Sequence, residues 1–126
     1  MKTLDDCTPD EALHFIQLYF ATVDLLTEAR EKYRRLSVES TTNSGRSQYR
    51  ALALESERDL ELLKNQRRAF MDNDLGIHPP STETVEKTKQ IAADLAKIVA
   101  KDAKANAIID LATRGLEAFN QVTADA

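Results

Sequence analysis

The chain has 126 residues, of which 42% are hydrophobic and 30% charged, and it carries 21 acidic against 17 basic side chains. The length predicts one domain, and the net charge of −4 gives the whole molecule no field that would attract DNA or an acidic membrane. No uncharged stretch approaches the roughly 18 residues of a membrane span, and the acidic N-terminal residues are not typical of a signal peptide. Because Cys7 is the single cysteine, an intrachain disulfide is excluded, and we expect a cytoplasmic protein.

The first predicted helix, residues 9–36, follows a leader of residues 1–7 that we expect to be flexible. Thr8 can cap this helix, Pro9 suits its first position and Glu11 completes a capping box. Between residues 12 and 26 the apolar side chains cover well over half of the helix circumference, more than one neighbour can bury. This breadth predicts a helix that is either central or at an interface.

A polar segment, residues 37–45, is rich in turn-forming residues and predicts a flexible loop. The second predicted helix, residues 46–72, has a thin apolar seam and charged outer positions. This pattern is typical of a peripheral helix.

A corner separates the second helix from the third. Asn73 or Gly76 can end the second helix in a left-handed conformation, and the two prolines that follow prevent its continuation. Ser81 or Thr82 can cap the third helix. Because every residue type here stops or starts a helix, we interpret the segment as a corner rather than a ligand site.

The third predicted helix, residues 82–122, has a near-heptad apolar rhythm typical of coiled coils, interrupted by Asp102, for which we predict Arg50 as partner. At 1.5 Å per residue it would be roughly 60 Å long against roughly 40 Å for each of the other two. The sequence therefore predicts an all-α antiparallel bundle of three long helices with an apolar overhang. The alternative is a break near residues 102–106, capped by Asp102 or Asn106, with a fourth helix folded back. We favour the continuous helix because the break segment lacks Gly and Pro.

The overhang of a continuous helix needs cover from outside the hairpin, because each large apolar side chain gains roughly 1.5–3 kcal/mol on burial. A second copy related by two-fold symmetry is the simplest source of that cover. We therefore predict a homo-oligomer, with contact residues on the third helix and on the broad face of the first. They are Phe15, Tyr19, Val23, Ile108, Ile109, Leu116 and Phe119.

An arginine cluster marks the predicted tip of the hairpin formed by the first two helices. Between residues 30 and 50, six basic side chains face only two acidic ones. We interpret the cluster first as a solvated loop end, since the total charge is negative. The alternative is a phosphate or nucleic-acid contact made by Arg30, Arg34, Arg35, Arg46 and Arg50.

The sequence lacks the residues that a catalytic or metal site needs. Asp72, Asp74 and Glu83 match three places of a calcium loop, but Ile77 stands where that loop requires glycine. With two histidines and one cysteine, no nucleophile and base can be paired by spacing. We expect no catalytic residue, no metal and no cofactor. The function that we predict is a non-enzymatic helical interaction or assembly module, such as an adaptor or complex subunit.

Overall fold

A computed structural model describes residues 1–99 and 105–124 of the chain. A 3-10 turn at Leu4–Asp6 precedes four helices, which are α1 (Pro9–Glu39), α2 (Asn43–Met71), α3 (Thr82–Lys97) and α4 (Ala105–Thr123). They alternate in direction, and α1 packs against each of the other three. The predicted all-α antiparallel bundle is confirmed, and α1 is its central helix.

The start of α1 follows the predicted capping box. The Thr8 hydroxyl accepts from the Glu11 amide at 3.1 Å, and the Thr8 amide donates to the Glu11 carboxylate at 2.9 Å. The bond from the Thr8 amide and a side-chain bond from Lys2 lower the pKa of Glu11. These reciprocal bonds satisfy two amides that the first helical turn leaves without partners.

The turn between α1 and α2 is shorter than the predicted loop of residues 37–45. Residues 37–39 belong to α1, and residues 43–45 already belong to α2. Thr42 caps α2 by accepting from the Gly45 amide at 3.0 Å. This start was not predicted, because the residue types of the segment are typical of turns, whereas here residues 43–45 form the first turn of a helix that Thr42 caps.

The corner between α2 and α3 holds the N-terminal leader. Asn73 has a positive φ of 66° and ends α2 as predicted, and the Ser81 side chain caps α3. Lys2 and Ile77 exchange two backbone hydrogen bonds of 2.7 and 2.8 Å, and the Asp5 amide donates to the Asn73 side chain at 3.0 Å. The segment is therefore a corner that also anchors residues 1–7 to the bundle.

The favoured prediction of one continuous third helix is wrong. Helix α3 ends at Lys97, Ile98 is extended, and α4 runs back along α1. Asn106 lies inside the first turn of α4 rather than at its cap, whereas Asp102 and its predicted pairing with Arg50 lie outside the described residues. Burial of the apolar face of α4 favours this fold-back over a continuous helix, because helix propensities contribute less than about 1 kcal/mol per residue.

An aromatic cluster joins three helices at the end of the bundle that carries the corner. Phe15 of α1 lies 4.5 Å from Phe70 of α2 and 5.7 Å from Phe119 of α4, measured between ring centroids. All three rings are fully buried. The cluster therefore fixes the fold-back of α4 onto the first hairpin.

Candidate protein-interaction surfaces

The predicted contact residues lie largely inside the bundle. Because α4 folds back onto α1 and α3, side chains that a continuous helix would have exposed join the core of the bundle. The prediction of an uncovered overhang is therefore wrong, because the predicted contact residues pack within the folded chain and do not form an open surface. Phe15, Tyr19, Ile108 and Phe119 are buried, and Val23, Ile109 and Leu116 are partly buried against the core.

A groove with a largely apolar lining lies between α1 and α3 on the outside of the described bundle. It has a volume of about 530 Å³. Phe20 stands at its edge with 53% of its surface exposed. The α3 side of the groove is built from Ala92, Ala93 and Ala96, whose short side chains leave the helix surface low. Leu13 is also half exposed, and its seven-residue separation from Phe20 places both on one face of α1.

Neighbouring side chains hold the Phe20 ring at the groove. It stacks on the ring of Tyr19 at 5.2 Å between centroids, with an angle of 16° between the planes. Tyr19 is itself buried beneath the Arg67 guanidinium, which lies 5.1 Å from its ring centroid. The guanidinium of Arg67 therefore packs on the ring of Tyr19, and that ring packs on Phe20, which is half exposed to solvent.

The charges around the groove differ between its two sides. Asp24 and Glu28 line the α1 side, and Lys89 lines the α3 side. Glu28 lies 3.3 Å from Lys32 in an ion pair within α1, whereas Asp24 is exposed. The groove therefore has an apolar floor, an acidic edge and a basic edge.

A small polar pocket lies between α1, α2 and α4. It encloses about 110 Å³ and is lined by Tyr33, Glu55, Ser56, Asp59 and apolar side chains. Burial and the Glu55 charge raise the pKa of Tyr33 to about 12. The same two causes, burial first, raise the pKa of Asp59 above its ordinary value of 3.8.

We expect Asp59→Asn to stabilise the protein at neutral pH. The raised pKa means that the folded state holds the Asp59 proton more tightly than the unfolded state does. Asp59 therefore disfavours folding least below pH 3.8, where it is protonated in both states, and most above its folded pKa, where it is ionised. The carboxylate is partly solvated, so after allowance for screening the gain at pH 7 is about 0.5 kcal/mol. Urea unfolding between pH 4 and pH 7 measures it. The gain should shrink toward the acid end, and exposed Asp94→Asn is the control. A gain independent of pH would contradict the prediction.

The α1–α2 hairpin brings the five predicted arginines to one end of the bundle. Arg30 and Arg34 pair with Glu31 at 3.3 and 3.2 Å, and Arg34 also bonds to Glu57 of α2. Arg46 donates to the backbone carbonyl at the C-cap of α1 at 3.0 Å. Three of the five arginines are therefore engaged within the chain.

The other two arginines remain exposed. Within residues 1–99 and 105–124, Arg35 and Arg50 form no ion pair. Arg50 lines a second groove, of about 440 Å³, between the ends of α1 and α2. We call it the tip groove. Its apolar side chains are Val38, Ala53 and Leu54, and Val38 is 84% exposed.

Both histidine rings lie close to polar atoms of other segments, and the cysteine is partly buried. The His78 ring lies 3.0 Å from the carbonyl of Ala124, and the His14 ring lies 3.4 Å from the Thr82 hydroxyl. Cys7 is a free thiol whose pKa is raised by partial burial and by Glu11. In the described part of the chain, no three His, Cys, Asp or Glu side chains converge as a metal site would require.

The exposed apolar residues of the two grooves, Phe20, Val38 and Leu54, were missed because apolar composition does not distinguish a covered position from an open one. Only the arginine cluster was found from the sequence.

Of the helices described, none combines the length and hydropathy needed to cross a bilayer. Comparison of the chain with protein-family models, with curated proteins and with solved structures finds no match.

Proposed function

We propose that the protein is a non-enzymatic helical interaction module that self-associates through the α1–α3 groove. The observation that carries this proposal is the half-exposed Phe20 ring beside a groove floored by alanines. Burying a Phe side chain stabilises an assembly by roughly 1.5–3 kcal/mol, so a supported, exposed ring favours a partner surface. The proposal includes a cytoplasmic setting because the single cysteine permits no intrachain disulfide.

Self-association is favoured because the groove carries both an exposed apolar ring, Phe20, and a low apolar surface, the alanines of α3, that would receive the ring of a second copy. A two-fold axis parallel to the helices would place α1 of each copy on α3 of the other. Phe20 would then enter the low alanine surface of the partner, and the partner's ring would enter this one. Such a contact uses one surface twice, which is the arrangement found in most homodimers.

The edge charges support the same arrangement. In it, the acidic α1 edge, with Asp24, would face the basic α3 edge of the partner, with Lys89. Opposite charges at the rim contribute little affinity, but they disfavour wrong orientations and accelerate association. An axis perpendicular to the helices would instead bring the two acidic α1 edges together.

Solution mass tests the proposal. We expect the average mass of the wild type, from light scattering across a concentration series, to rise toward twice the 14.1 kDa of one chain. Phe20→Asp should give a monomer, because it would place a charge in the contact centre. Ala96→Glu should do the same from the α3 side. Both positions are exposed, so the variants should keep the circular dichroism spectrum and thermal unfolding of the monomer.

Leu62→Asp is the matched control, because Leu62 is 51% exposed on α2, outside the groove. It should dimerise as the wild type does. A wild type that stays monomeric throughout the series, or a loss of dimer in Leu62→Asp equal to that in Phe20→Asp, would contradict the proposal.

A further inference from the structure

The tip groove has exposed aliphatic side chains, and Arg50, which lines it, forms no ion pair within residues 1–99 and 105–124. Arg35, which likewise has no ion pair in the described part of the chain, lies beside the groove rather than in its lining. Val38 projects from the last turn of α1, and Leu54 is half exposed on the facing side of α2. Helical spacing places Arg35 three residues before Val38 and Arg50 four residues before Leu54, so each arginine neighbours an apolar side chain on its own helix. Arg34, which is paired with Glu57, also lines the groove.

We propose that the tip groove binds an acidic amphipathic helix of a partner protein. Apolar side chains of that helix would cover Val38, Ala53 and Leu54, and its carboxylates would pair with Arg35 and Arg50. Arginine suits this role because its planar guanidinium binds a carboxylate through two hydrogen bonds.

A helix is favoured over an extended segment by the backbone of the tip. Both walls of the groove are α-helices whose backbone groups are bonded internally, and no strand edge lies there to pair with a partner. An incoming segment must therefore satisfy its own backbone hydrogen bonds, which a helix does.

A protein partner is favoured over nucleic acid by the composition of the groove. Its centre is aliphatic rather than aromatic, so it offers no surface on which bases stack. The +4 balance of residues 30–50, six basic against two acidic, suits a short acidic helix, whereas the net charge of −4 opposes a long polyanion.

The test uses the full chain and a labelled synthetic helix of about 16 residues, or roughly 24 Å, built from Ala, Glu and a Leu stripe. We expect micromolar binding at low salt by fluorescence anisotropy. Arg35→Ala with Arg50→Ala should weaken binding by about tenfold or more, and Val38→Ser should also weaken it. Lys64→Ala with Arg68→Ala removes the same charge from exposed positions nearer the other end of α2 and should leave binding unchanged.

Two further probes separate the alternatives. A peptide of equal charge with Ser in place of Leu should bind at least about tenfold more weakly, since the apolar contact is lost. A single-stranded DNA of similar length should bind more weakly than the Leu peptide. The proposal is overturned by absent binding, by equal affinity for the Leu and Ser peptides, or by tighter binding of DNA. The Phe20→Asp variant should bind the Leu peptide as the wild type does, because Phe20 lies outside the tip groove.

Discussion

Replacing Phe119 with Ala should lower the free energy of unfolding by about 3–5 kcal/mol. The ring is fully buried and lies 5.7 Å from Phe15 between centroids, so truncation removes its burial and leaves a cavity in the aromatic cluster. Stabilities of small domains are only about 5–15 kcal/mol, so this loss is a large part of the total. Urea unfolding followed by circular dichroism measures it, with the midpoint shifting at nearly constant slope.

Phe20→Ala is the matched control, because it makes the same chemical change on a half-exposed ring. At a protein concentration where the chain is monomeric, its effect should be less than about 1 kcal/mol. The comparison also tests the fold-back of α4. If α4 continued α3 into solvent, Phe119→Ala would cost a monomer as little as Phe20→Ala does. Equal effects of the two changes would therefore contradict the packing of α4 on α1.

The elements that sequence reasoning placed correctly are those fixed by neighbouring residues. The capping box of Thr8 and Glu11 and the left-handed Asn73 each depend on chemistry within a few positions. The apolar circumference of α1 exceeds what one neighbour can bury, so its sequence predicted a helix that is either central or at an interface. Local chemistry therefore located the start of α1 and the end of α2, and periodicity limited the place of α1 to those two alternatives.

The break after α3 was not predictable from local chemistry. Neither Gly nor Pro marks residues 98–104, and the sequence alone left two arrangements open. The choice between them depends on whether α1 can cover the apolar face of α4, a contact between residues about 100 positions apart. Tertiary burial overrides propensity in such cases, and a periodicity argument does not measure it.

The candidate surfaces show the same limit. Phe15 and Phe20 lie in one helix, yet Phe15 meets α2 and α4 whereas Phe20 faces the groove. Only the third helix and the fold-back decide which side of α1 stays open. The location of the arginine cluster was easier to predict, because the segment lies at the tip of the α1–α2 hairpin whether α3 and α4 form one helix or two.

Substitution of Gly115 should destabilise the bundle in proportion to the size of the new side chain. Gly115 is buried in α4, and a Cβ there would overlap Leu25 Cδ2 and reach 4.0 Å from Ile91 Cγ2. Gly115→Ala gains about 1 kcal/mol of helix propensity but incurs an overpacking cost of about 1–3 kcal/mol. Because Leu25 is fully buried and has little room to turn, we expect a net loss of about 1 kcal/mol. Gly115→Leu should lose about 3 kcal/mol or more.

Two comparisons identify the cause of that loss. Asn120→Ala, at an exposed position of α4, reports the propensity gain alone and should be slightly stabilising. In the background of Leu25→Ala, which removes the overlapping atom, Gly115→Ala should become neutral or stabilising, so the double variant should be more stable than the two single effects predict. Urea unfolding of the four members of this cycle measures the coupling. Additive effects would show that Leu25 does not limit the approach of α4 to α1. A stabilising Gly115→Ala in the wild-type background would show that the two helices are not held at the separation at which only glycine fits.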